Sequence, residues 1–378
     1  MPRSRSHHQA FRALRVLALL AAVALPLRAQ LPTQLADSTY WRLITEFSEP
    51  GGYFRSDNFV SNETAWQMVI PELLGSFAPG GAYVGVGPEQ NFTYIANFQP
   101  ALAFIVDIRR QNLVQHLMYK ALAELSADRA DFISRLFSRP RPAGLDPQGS
   151  TVELLVQFAQ VPPDSALFTR THAAIITHLT RTRGFPLPEA DLEALDYVFR
   201  TFYQTGPGVT YSSNQQMRGG VGVMRGMPSF LELMVQDDGF GLNRSFLGSE
   251  ALYATFRAYH QRNAIVPVTG NFAGPSALRR VGEYIRAHDA VVDVFYLSNV
   301  EQYLFQQGDE WFRFYKNVGT LPVNGASVFI RSVTNRGMAP TYRAGTLMTQ
   351  LIASIPETLR LFEAGRVVSY YDVIAMSR

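Results

Sequence analysis

The chain has 378 residues with 34 Lys+Arg against 31 Asp+Glu, a formal net charge of only +3, and it contains no cysteine. The missing thiols remove disulfides, thiol nucleophiles and thiolate metal sites together. Residues 1–29 carry five arginines and no acid, leaving 29 basic against 31 acidic residues in the rest, so the basic balance gives no reason to expect a nucleic-acid partner.

The first segment reads as a Sec-type export signal. Arg3, Arg5, Arg12 and Arg15 precede the apolar run Val16 to Leu25, and Leu27-Arg28-Ala29 offers a small residue for cleavage before Gln30. About ten apolar residues fall short of the ~20 that span a bilayer. The expected destination is periplasmic or extracellular, with retention as an anchor if cleavage fails, and no transmembrane helix in the mature chain. The remaining ~350 residues suit one large domain with an insertion, or two domains.

A helix is expected over residues 34–47, from Leu35, Tyr40, Leu43, Ile44 and Phe47 on one face. The stretch GGYFRSDNFVSNETAWQMVIPEL, residues 51–73, follows. Ser61 and Thr64 there have the chemistry of a helix cap. Equally, Tyr53, Asp57, Asn58, Asn62 and Glu63 are a dense polar set that suits a substrate-binding loop.

Residues 81–112, GAYVGVGPEQNFTYIANFQPALAFIVDIRRQN, read as strand, glycine turn, helix and strand. Gly85 and Gly87 let the backbone bend and approach a ligand, and the helix N-terminus behind Pro88 and Asn91 suits a carboxylate. Asp107 ends the second strand about twenty residues on, where a carboxylate can accept hydrogen bonds from ribose hydroxyls. On spacing alone an ordinary strand–helix turn competes with a binding site. Helices follow at 109–126 and 128–137. Residues 140–248 read as a mainly helical insertion, with helices at 163–183 and 188–203. Its stretch 206–229, rich in Gly, Ser, Asn and Met, suits a lid, a binding loop or a disordered segment. The strand pattern resumes at Ala264–Thr269, Val291–Leu297 and Ser327–Val333, interleaved with helices at 249–262, 275–288 and 310–318. This alternation implies an α/β fold with a mostly parallel sheet and helices on both faces. Such sheets gather ligands at the carboxyl ends of their strands, where Gly85, Asp107, Asn271 and Asn299 fall.

On those residues the chain resembles the class I S-adenosylmethionine-dependent methyltransferases, over residues 80–126 and 263–335. The resemblance implies a Rossmann-like domain in two parts, 79–139 and 249–378, with 30–78 as an N-terminal helical segment bearing the polar loop. It implies a cofactor site for S-adenosylmethionine at Gly85, Gly87, Pro88, Asn91, Asp107, Asn271 and Phe272. Asn299, Glu301 and Tyr303 would then orient the acceptor as the catalytic set. GGYFRSDNFVSNE and VGVGPEQNFTYI also resemble a group of exported bacterial proteins with methyltransferase-like folds. Glu89 stands where that family often has a small residue, and pointing inward it would crowd the ligand carboxylate. An exported protein lacks an obvious supply of this cytoplasmic donor, so the competing expectation is a non-catalytic small-molecule-binding protein that reuses the fold. A hydrolase is the third class, without G-x-S-x-G or H-E-x-x-H in its favour.

Overall fold

A computed structural model describes residues 30–212, 227–334 and 348–378. The export signal expected at 1–29 and residues 213–226 of the expected lid lie outside them. The fold is α/β. Six strands, β1 (Ala82–Gly85), β2 (Leu102–Asp107), β3 (Ile265–Thr269), β4 (Val292–Ser298), β5 (Val328–Thr334) and β6 (Met348–Ser354), form one sheet in the spatial order β3-β2-β1-β4-β5-β6. Every neighbouring pair is parallel except β5 and β6.

The residues of β1, β2 and β3 are buried at every position, which is why these strands read as unbroken apolar runs rather than as alternation. Pro267 sits within β3 without cost to the ladder's interior, because β3 is an edge strand paired only to β2. The polar positions Thr349 and Gln350 are buried in β6, so that strand has no clean apolar signature, and the sequence reading contains no counterpart to it.

Helix α1 (Asp37–Phe47) precedes a 3-10 turn (Trp66–Val69) and the short α2 (Ile70–Leu73). Between β1 and β2 lies α3 (Gln90–Phe98). Between β2 and β3 the described residues include seven α-helices: α4 (Arg110–Leu125), α5 (Arg129–Phe137), α6 (Thr151–Gln160), α7 (Ser165–Thr177), α8 (Glu189–Thr205), α9 (Phe230–Met234) and α10 (Glu250–Gln261). Then come α11 (Ala277–Ala287), α12 (Val300–Leu304), α13 (Glu310–Val318), α14 (Ile355–Glu363) and α15 (Tyr370–Ala375). None of the helices among the described residues is long and apolar enough to cross a membrane.

Phe92 of α3 joins the helices behind the glycine turn. Its ring lies 5.2 Å from Tyr119 and 5.3 Å from His116 on α4, and 4.9 Å from Phe256 on α10. Burying such rings contributes ~2–3 kcal/mol each and fixes α3 against its neighbours. A partly buried polar cluster fastens α1 to α4. Lys120 and Glu124 pair at 2.6 Å, Arg183 bridges Glu124 at 2.8 Å and Asp37 at 3.0 Å, and Asn263 donates to Asp37 at 2.7 Å.

Candidate functional site

Because β1 to β4 run in parallel, their carboxyl ends meet on one side, and the chain from Ser48 onward crosses these ends. Glu49 N–H donates to the Thr269 carbonyl at 2.8 Å, and Gly52 N–H to the Ile108 carbonyl at 2.8 Å. A Cβ on Gly52 would lie 2.5 Å from Ile108 Cγ1, so only glycine permits this crossing. The Glu49 carboxylate accepts from the backbone N–H groups of Ser276 and Ala277, at 2.7 and 2.6 Å, at the N-terminus of α11. Beyond this anchor, segment 53–63 roofs a crevice of about 910 Å3, part of it open to solvent.

Gly87 and Pro88 line the crevice, and Gly87 has φ +80°, the left-handed region in which glycine alone is unstrained. Gly85 and Asn91 do not line it. A Cβ on Gly85 would lie 2.1 Å from Asn91 Oδ1, so the glycine serves close packing rather than ligand approach. Asn91 Nδ2 donates to the carbonyls of Val86, Gly87 and Pro88 at 2.9, 3.1 and 2.9 Å, and its Oδ1 accepts from the Tyr83 hydroxyl at 2.8 Å. This side chain shapes the turn from behind.

His116 of α4 also braces the turn, with Nε2 2.9 Å from the Gly87 carbonyl. A carbonyl only accepts, so Nε2 carries the proton. Burial pushes His116 down to about 4, against a smaller opposing effect of that hydrogen bond, so the ring is neutral at physiological pH. Glu89 does not crowd the crevice as its sequence position suggested. It is buried outside the lining, accepts the Ser61 N–H at 3.0 Å, and is pushed up to about 8 chiefly by burial, so at neutral pH it is largely an uncharged acid.

Asp107 lines the crevice at the end of β2, with its carboxylate already engaged. Arg109 donates to Oδ1 from its backbone N–H at 2.9 Å and from Nε at 3.1 Å, and to Oδ2 from its second guanidinium nitrogen at 2.9 Å. Arg109 lines the crevice as well, and also donates to the Asp57 carbonyl. The sequence reading missed this arginine, although its place two residues past the strand end lets it fold back onto the carboxylate. Oδ2 accepts one hydrogen bond and has capacity for another.

At the end of β3, Asn271 and Phe272 line the crevice. Asn271 Nδ2 reaches Glu310 Oε2 at 3.3 Å, and the Phe272 ring packs 5.0 Å from Phe295 and 5.8 Å from Phe314. At the end of β4, Asn299 and Tyr303 line it, and Tyr303 meets the Phe54 ring edge-on at 5.4 Å. Glu301 does not share this position. Two residues from Asn299 and two from Tyr303, it faces the other side of α12, where Arg331 Nε donates at 2.5 Å and the Tyr315 hydroxyl donates as well. It is a buried structural ion pair and not a member of the acceptor-facing set.

Of the polar loop, Tyr53, Asn58, Asn62 and Glu63 line the crevice. Asp57 does not: its carboxylate accepts from Tyr197 at 3.2 Å and Ser212 at 3.0 Å. Ser61 Oγ accepts the Glu63 N–H at 3.1 Å, a loop bond rather than the helix cap that its spacing also allowed. Glu63 is 1% exposed and accepts from the hydroxyls of Ser298 and Ser332 and from Gln350 Nε2 at 3.2 Å. Ser298 has φ +51°, a strained value for a serine, and it lies where the β4–β5 register shifts. Gln90, Tyr211, Gln307 and Glu310 also line the crevice, and none was singled out from sequence. Gln90 was the most findable, since it begins the helix directly after the turn.

No curated protein matches this chain. A family model does match, over residues 58–143 and 225–365, segments that flank the helices α6, α7 and α8 and contain most of the crevice. The two segments span more than half of the sequence, and the chain belongs to the family described as Domain of unknown function (DUF7790).

Proposed function

We propose that this protein is a methyltransferase-like protein with a Rossmann-like fold, and that its crevice binds a nucleoside-containing small molecule, S-adenosylmethionine first among them. One observation carries the reading: Gly87, Asp107, Asn271 with Phe272, and Asn299, drawn from the ends of four different strands, line a single crevice. The strand order turns back between β1 and β4, and open α/β sheets bind ligands outside the carboxyl ends of strands at such a point. The interruption of the family match at 144–224 supports treating the helical region as an insertion.

The residues present fit this cofactor in outline. The Gly87 backbone leaves room beside the turn, the free capacity of Asp107 Oδ2 suits one ribose hydroxyl, and Asn271 and Phe272 border the space for a base. S-adenosylmethionine supplies a methyl group activated by its sulfonium. The chain's part in such chemistry is to align an acceptor and exclude water. Asn299 and Tyr303 suit the first task, and the Tyr53–Phe54 roof suits the second.

The Arg109 pairing favours a second reading as well. A carboxylate with three of its acceptor positions already filled grips a ribose less firmly than a free one, which supports a non-catalytic protein that binds another small molecule in this crevice. Isothermal titration of the mature protein with S-adenosylmethionine separates the two. Binding heat with a raised Tm supports the first reading. No heat and no Tm change at millimolar ligand refutes it and leaves the second.

A further inference from the structure

The crevice wall beside β4 is made of hydrogen-bond acceptors. Glu63 is a carboxylate whose partners among the described residues are all neutral: two serine hydroxyls, the Tyr296 hydroxyl and one amide. No lysine or arginine bridges it there, in contrast to Asp107, Glu124 and Glu301, each of which has a cation within 3.0 Å. The Glu63 charge therefore has no counter-charge among the described residues.

Gln90 adds a second, independent observation. It is 2% exposed and lines the same crevice, and its Oε1 has no hydrogen-bond partner among the described residues. The amide orientation follows from Tyr296, whose hydroxyl proton goes to Glu63 so that its oxygen accepts from Nε2 at 3.1 Å, while Nε2 also faces the Val86 carbonyl at 3.5 Å. Tyr296 stands between the two acceptors: burial first, and then the Glu63 charge, raise its hydroxyl well above the usual range. Asn58 Oδ1, on a third residue of the lining, is also without a partner among the described residues. A buried carboxylate without a counter-charge and a buried amide oxygen without a partner, side by side on one wall, call for a donor, and a charged donor fits them better than a neutral one.

We propose that the Glu63–Gln90 wall is the recognition site for a protonated primary amine carried by the small molecule that the crevice binds. This rests on the reading of the crevice as a ligand site, but not on the ligand being S-adenosylmethionine. The ammonium has two possible sources: the amino-acid end of a molecule seated at the glycine turn, or an amine-bearing acceptor beside Asn299.

The test measures binding to wild type, Glu63→Gln and Gln90→Leu by titration calorimetry. The probes are S-adenosylmethionine, 5′-methylthioadenosine, which lacks the amino-acid end, and a panel of small aliphatic primary amines. Loss of one charge-assisted hydrogen bond corresponds to about tenfold or more in Kd. If the amine is the ligand's own, Glu63→Gln weakens S-adenosylmethionine by that factor and leaves methylthioadenosine unchanged. If it belongs to an acceptor, the variant retains S-adenosylmethionine and loses the amines. Amine binding that depends on Glu63 in a protein that ignores S-adenosylmethionine supports the site and refutes the cofactor reading. Should Glu63→Gln not fold, Gln90→Leu carries the test with an expected loss of several-fold. Wild type that binds no amine-bearing probe, or folded variants that bind every such probe as wild type does, overturn the proposal.

Discussion

Glu89 makes the fold's stability fall with rising pH in a way that one substitution removes. In the folded chain this carboxyl keeps its proton up to about 8, against an ordinary value of 4.5. Between those two pH values the folded state holds a proton that the unfolded chain has released. Stability therefore falls as the pH rises through that window, and the whole loss is present above about 8. The gap from 4.5 to about 8, at ~1.4 kcal/mol per pH unit, integrates to ~5 kcal/mol, a ceiling that water penetration reduces to ~2–5 kcal/mol. Glu89→Gln keeps an acceptor for the Ser61 N–H and never ionises. Urea unfolding of both proteins at pH 5 and pH 9 reads the effect directly. The variant is expected to match wild type or fall slightly below it at pH 5, and to gain ~2–5 kcal/mol relative to wild type at pH 9. Parallel pH dependences for the two proteins, within ~0.5 kcal/mol, would refute the assignment of a buried neutral acid behind the glycine turn.

His116 acts in the opposite direction: its folded value of about 4 lies below the ordinary 6.5, so stability is lost as the pH falls through that range. NMR titration of its ring should show a neutral, Nε2-protonated imidazole at pH 6, and a midpoint near 6.5 would contradict the brace on Gly87. Arg109→Ala leaves the Asp107 carboxylate buried without its cation and is expected to cost ~3–5 kcal/mol in denaturant unfolding, against under ~1 kcal/mol for an exposed arginine such as Arg42. Glu301→Ala should cost a similar ~3–5 kcal/mol by stranding Arg331, while ligand affinity measured well below its Tm stays near wild type; a selective loss of binding or turnover would return Glu301 to the crevice. Cell fractionation with N-terminal sequencing of the purified protein tests the export signal, with Gln30 as the expected first residue.

The strands that carry the site were legible because buried parallel strands leave unbroken apolar runs: β1 and β2 fall in the expected order within residues 81–112, and β3 and β4 lie within a residue of their expected bounds. The edge strand β6 was not, since its Thr349 and Gln350 are buried polar positions that erase the pattern. Spacing found the glycine turn but could not divide its labour. Gly85 faces Asn91 and Gly87 faces the crevice, a distinction set by the chain leaving the strand after Gly85 and by the left-handed φ at Gly87. The same limit applies to α12, where Asn299 and Tyr303 are one helical turn apart and share a face while Glu301 between them does not. Asp107 was found by its position, but its engagement by Arg109 depends on a side-chain fold-back that composition does not encode. Glu63 was named within a polar loop. Its distinction comes from Ser298, Ser332 and Gln350, which lie more than two hundred residues away and are invisible to any local reading.

The three carbonyls gathered by the single Asn91 amide bear on how the crevice meets a guest. A turn tied down at Val86, Gly87 and Pro88 has surrendered its conformational freedom during folding, so docking against it incurs little ordering cost. Any adaptation must then come from the opposite lip, where Tyr53 is 88% exposed and rests on few neighbours. The protein thus pairs a rigid anvil with a compliant jaw, and selectivity for the part of a ligand seated at the turn should survive changes in the loop that covers it.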